Sequence, residues 1–63
     1  MWLFFFSDSE HKKLSNSSEK LKSYIRKRYD YTTWSFNYMD SNTIQVLDKD
    51  DNEQGFIVWV GIV

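Results

Sequence analysis

The sequence predicts an α+β fold: one small domain, 1–63, of β-α-β-β-β order, with one helix packed on a mostly antiparallel four-strand sheet. Three observations predict it. Trp2-Leu3-Phe4-Phe5-Phe6 opens the chain and Phe56-Ile57-Val58-Trp59-Val60-Gly61-Ile62-Val63 closes it, two apolar runs with nearly all the charge between them. A helical period of apolar residues follows the first run, and a period of two precedes the second. Both runs are far shorter than the ~20 residues a membrane helix needs, and too apolar for a surface, so they read as buried strands.

Residues 2–6 form the first strand, rich in residues that favour a pleated surface. Ser7 and Glu10 then have capping-box spacing, and Asn16 with Glu19 repeats it. Either one helix runs from about 8 to 29, or a short turn precedes a main helix from about 17 to 29. The polar run Ser15-Asn16-Ser17-Ser18 favours the break, because Ser and Asn compete with the helix for backbone hydrogen bonds. On a helical period Leu14, Leu21, Tyr24, Ile25 and Arg28 share one side, and Lys20, Lys22, Arg26 and Lys27 take the remaining arc. Trp34, Phe36 and Tyr38 alternate with polar residues over the strand at 33–39. Asp40-Ser41-Asn42 is a turn, and Ile44, Val46 and Leu47 mark the third strand. Residues 48–55 read as a charged hairpin loop before a last strand at 56–63.

Size and composition limit the function classes. A domain of 63 residues buries only ~60% of the surface its unfolded chain exposes. Without cysteine it has neither a disulfide framework nor a thiolate zinc site. Its stabilising material is therefore aromatic: five Phe, four Tyr and three Trp. The chain has no proline and no alanine, while Lys, Asn, Asp, Ser, Phe, Ile and Tyr abound. That bias suits an AT-rich gene of the kind phages and mobile elements carry. Starting at Met1 and lacking a basic leader before its first apolar run, the chain is expected to be a complete, cytoplasmic protein, in the host cytoplasm if phage-encoded.

The net charge of −1 conceals a division. Residues 1–29 hold seven Lys and Arg against three acids, a net +4; residues 30–63 hold Lys49 against six acids, a net −5. Such asymmetry marks either an electrostatic partner or an internal match between a basic helix and acidic turns.

Catalysis has little to work with. His11 is the single histidine, set among polar residues and expected to be an exposed titrating group, and no nucleophile motif frames a serine. Asp48-x-Asp50-x-Asn52 opens like a calcium loop, but its sixth position holds Glu53 instead of Gly and its twelfth Trp59 instead of Glu. No cofactor and no metal are expected, and no enzyme activity. Lys20, Lys22, Arg26, Lys27 and Arg28, with Tyr24, Tyr29 and Tyr31, suit phosphate contacts and base stacking. The overall pI of about 5.6 is far below that of most nucleic-acid modules.

Strands one and four are apolar on both faces, yet a lone helix covers only one. The other face needs residues 7–16, a second copy or another protein. The expectation is a small non-enzymatic protein-interaction module, of the type a phage or mobile element uses to inhibit a host enzyme or defence complex. Its contacts are placed at Trp59, Ile57 and Trp34, with the acids Asp48, Asp50, Asp51 and Glu53 and the edge strand 33–39 as flanks. A homodimer is one form of this; a nucleic-acid-binding module using helix 17–29 is the alternative.

Overall fold

Among the described residues every strand pairs antiparallel, and the strand that no periodicity announced sits at one edge. The computed structural model of the chain describes residues 1–7, 10–29 (the Tyr29 side chain excepted) and 33–61. The expectations for Asp30, Tyr31, Ile62 and Val63 lie outside those residues. The elements are β1 (Trp2–Phe6), β2 (Lys12–Ser15), α1 (Ser18–Tyr29), β3 (Ser35–Asp40), β4 (Thr43–Leu47) and β5 (Glu53–Trp59). They form one five-stranded sheet in the order β2-β1-β5-β4-β3.

The fold class is α+β, with five strands where four were expected. The additional strand is β2, which pairs with β1 in the register Leu3 to Leu14 and Phe5 to Lys12. Neither helix start at residue 7 nor a cover across the sheet is realised there. Four mostly polar residues become a strand because they pair the outer backbone edge of β1, which would otherwise stand open. The last strand also starts at Glu53, three residues before the apolar run, because Glu53 pairs with Leu47, and Gly55 with Val46 and Phe6, across a register shift at Gln54.

The helix lies where expected. The amide of Leu21 donates to the Ser17 carbonyl, so Ser17 is the N-cap residue, with its own amide held by Ser15 Oγ at 3.2 Å. Glu19 sits in the first turn, and Arg26, Lys27 and Arg28 in the last, each complementing the helix dipole. The helix carries the chain from one sheet edge to the other. Its 12 residues span about 18 Å, and the four steps from β2 to β3 span about 19 Å. One helix therefore crosses the whole sheet and covers the face beneath it.

That face holds the core. Phe4, Leu21, Ile25, Val46 and Ile57 are fully buried and Ile44 nearly so, with Trp2, Phe6, Tyr24, Trp34 and Phe36 packed around them. The register explains the set: Phe4 lies opposite Ile57, Ile57 opposite Ile44, and Ile44 opposite Tyr38. Among the described residues, no buried side-chain nitrogen or oxygen lacks a partner. The N-terminal ammonium donates to the Gly61 carbonyl at 2.7 Å, tying the two ends of the chain together.

Candidate protein-contact surface

The register places the helix-side residues first. Ile57 is fully buried under Leu21 and Ile25 and offers a partner nothing. Trp34 is half-buried, its ring edge-to-face with Phe6 at 6.4 Å, and belongs to the core's rim. Trp59 lies opposite Trp2 on the same side, edge-to-face at 5.4 Å, and is 43% exposed. Of the expected contacts Trp59, Ile57 and Trp34, all on the helix side of the sheet, Ile57 is buried, Trp34 is half-buried and Trp59 is the most exposed.

The uncovered face carries the opposite parity. One row across the strands reads Leu14, Leu3, Val58, Thr43; the next reads Lys12, Phe5, Phe56, Gln45, Asn37. Phe5 and Phe56 meet ring to ring at 5.9 Å, and Leu14 is 51% exposed. Among the described residues no element lies over these side chains. The apolar half of this face continues into a polar half built as a chain of hydrogen bonds. Asn37 Nδ2 donates to Gln45 Oε1 at 3.2 Å, Gln45 Nε2 donates to Glu53 Oε1 at 3.1 Å, and Ser7 Oγ donates to Glu53 Oε2 at 3.3 Å. Glu53, on the central strand, is thus held by Gln45 and Ser7, and Lys12 lies on the edge strand β2 beside Phe5.

The acidic turn has a structural part and a free part. Asp48 Oδ1 accepts from the amides of Asp50 and Asn52, and Oδ2 from Gln54 Nε2, all at 2.9 Å. These bonds hold the Asp48 carboxyl below its usual range, the amide of Asn52 contributing most. They also let Asp51 adopt a left-handed conformation, φ 63°, which Asp tolerates better than most residues. Asp48 therefore builds the turn, while Asp50 and Asp51 are exposed on it. Because its folded pKa is depressed, the carboxylate's contribution is present above about pH 4 and lost as pH falls through the folded value. In Asp48→Asn, Oδ2 becomes an amide donor facing the Gln54 donor. The variant should be less stable than the parent at pH 7, and the gap should narrow as unfolding is repeated at pH 4, 3 and 2.5. A gap of constant size would show that the loop does not depend on this charge.

The basic helix divides as well. Lys22 pairs with Glu19 at 3.0 Å and lies over the Tyr38 ring at 4.2 Å, and Arg26 lies over the Phe36 ring at 5.0 Å. These two cations cap the aromatic side chains of β3. Lys20, Lys27 and Arg28 are exposed on the helix. His11, expected to be an exposed titrating group, is half-buried instead. Its Nε2 shares a hydrogen bond of 3.1 Å with the Tyr24 hydroxyl, its ring stacks on Tyr24, and Phe4 and Phe6 flank it. That placement was invisible in the sequence, since the aromatic neighbours come from β1 and α1.

No helix among the described residues is long and apolar enough to cross a membrane. No protein-family model, curated protein or solved structure matches the chain, so function is argued from these surfaces alone.

Proposed function

We propose that this chain is a small, non-enzymatic protein-interaction module that works through the helix-free face of its sheet. The observation that carries the reading is the apolar row Leu14, Leu3, Val58 beside Phe5 and Phe56, which no described element covers. A contiguous apolar surface with a polar rim is the usual form of a protein contact site. The exposed acids Asp50 and Asp51, with Glu53, supply charge at its margin. The residue bias, which suits an AT-rich gene, supports the setting of a phage or mobile element, with a host enzyme or defence complex in the cytoplasm as target. Nucleic-acid binding is the weaker reading, because the helix cations Lys22 and Arg26 are engaged on aromatic rings within the chain.

The test is site-specific photo-crosslinking in cells, with the reactive side chain at Val58 or, separately, at Lys20 on the outward side of α1. The expected result is protein adducts from position 58 and no nucleic-acid adduct from position 20. Adducts to nucleic acid at position 20, with none to protein at 58, would replace this reading by the alternative.

A further inference from the structure

We infer that the outer edge of β3 takes a further strand from another protein: an extended segment with an acid on its helix side, two residues after an apolar side chain. The inference shares the protein-interaction reading and adds a second contact to it, at the edge of the sheet and not on its helix-free face.

The two edges of the sheet are built differently. Strand β2 closes its side with four residues, of which Lys12 and Lys13 are charged, and short, lysine-bearing edges resist further pairing. Strand β3 is six residues long, and Ser35 to Met39 carry no charge. Its register shift falls at the far end, between Tyr38 and Asp40, so the pairing of residues 35–38 is regular. No described strand pairs the outer side of β3, and Tyr38 and Met39 are among the most exposed large side chains. Such an edge offers its backbone groups to an added strand, a partner that only a polypeptide can supply.

The helix decides what that strand carries. Arg26 lies over the Phe36 ring at 5.0 Å and Lys22 over the Tyr38 ring at 4.2 Å. Lys22 is neutralised by Glu19 at 3.0 Å, whereas Arg26 makes no ion pair or hydrogen bond among the described residues. A guanidinium resting on a ring keeps its N–H fork for a carboxylate. Directly opposite residues of an antiparallel pair share a face, with Cβ atoms about 5 Å apart. The residue set opposite Phe36 therefore comes within reach of Arg26, and an acid there completes a charge-assisted pair. The residue opposite Tyr38 precedes it by two and meets an exposed ring, which an apolar side chain covers.

Charge also selects against a second copy at this edge. Two β3 strands paired about a two-fold axis would bring the Lys22 and Arg26 cations of both copies together on one side of the joined sheet. Asp40, the one acid of β3, does not answer them. It lies opposite Thr43, in the helix-free row with Val58, and its Oδ1 accepts the Asn42 amide at 2.7 Å.

The experiment is selection of short random peptides from a display library on the full chain, followed by fluorescence anisotropy of the enriched peptides. It is run on the parent, Arg26→Glu and Lys20→Glu, each checked for folding by circular dichroism. The parent should enrich peptides with an acid two residues after an apolar residue, and Arg26→Glu should enrich Lys or Arg in place of the acid. An acidic peptide should bind Arg26→Glu roughly tenfold more weakly than the parent. Lys20→Glu makes the same charge change away from β3 and should bind it as the parent does. N-methylation of the peptide on alternate residues should abolish binding in one register and spare it in the other, as edge pairing requires. No enrichment, the same preference from parent and Arg26→Glu, or binding indifferent to N-methylation in both registers overturns the inference. Failure here is separable from failure of the broader reading. Protein adducts from position 58 with no peptide bound at β3 remove the edge alone, and peptide at β3 with no adduct from position 58 removes the helix-free face alone.

Discussion

Phe4→Ala is expected to cost about 3–5 kcal/mol, enough to leave little folded protein. A domain of this length has a total stability of about 3–9 kcal/mol, so the loss is comparable to the whole. Phe4 is fully buried in the middle of β1 and pairs with Ile57 on the central strand. Its ring also makes edge-to-face contacts with Phe6 at 5.0 Å and His11 at 6.2 Å. Truncation thus opens a cavity between sheet and helix and strips support from His11 and, through it, Tyr24. Nothing nearby can refill the space, because the surrounding core residues are themselves anchored on a paired strand or on the helix. Far-ultraviolet circular dichroism with a urea titration measures the effect. A midpoint close to the parent's would mean that the core is centred elsewhere. Phe4→Leu, which keeps most of the volume, should fall between the two.

The charge division of the sequence takes on a specific form in three dimensions. Lys22 and Arg26 are spent on the β3 aromatics and Asp48 on its own turn. Lys20 and Lys27 on the helix side and Asp50 and Asp51 at the turn are exposed. One helix covers one face of the sheet, so the core lies on that side and the apolar residues of opposite parity lie on the other.

The sequence made some of this readable and some of it not, for physical reasons that differ by element. Helix α1 was legible because Leu21 and Ile25 set a four-residue spacing and the polar run before them supplied a cap. Strands β3 and β4 were legible from their alternation. Strand β2 was not, since Lys12-Lys13-Leu14-Ser15 carries no strand pattern and forms only because β1 offers an unpaired edge. The surplus of apolar surface on β1 and β5 was legible, whereas its parity was not. Ile57 and Trp59 are as apolar as Phe56 and Val58, so composition gives no bias between them. The choice falls to packing, where a buried glycine sits in the row with Phe6, Val46 and Phe36.

That glycine, Gly55, is the site of the second large effect, and Gly55→Ala is expected to destabilise the chain by about 3 kcal/mol or more, the upper end of an overpacking cost. A methyl group there would fall far inside contact with the Phe5 carbonyl oxygen, and at 3.1 Å from both the Phe5 carbonyl carbon and the Phe6 Cα. All three are backbone atoms, so no side chain can turn aside; the β1–β5 pair must spread. Gly61 makes the contrast. It has a left-handed φ of 87° and nothing within 4 Å of an added methyl. Gly61→Ala should therefore cost only about 1–2 kcal/mol, through backbone conformation alone. Parallel urea titrations of the two variants compare crowding with conformation directly, and equal midpoints would show that the seam is not tightly closed at Gly55. The same seam sets Phe5 against Phe56 on the open face. A Gly55→Ala chain that remains folded should therefore give fewer protein photo-adducts from position 58 than the parent, although no surface side chain has changed. Gly61→Ala should give as many as the parent. A folded Gly55→Ala chain with the parental yield would separate the core of the sheet from its contact face.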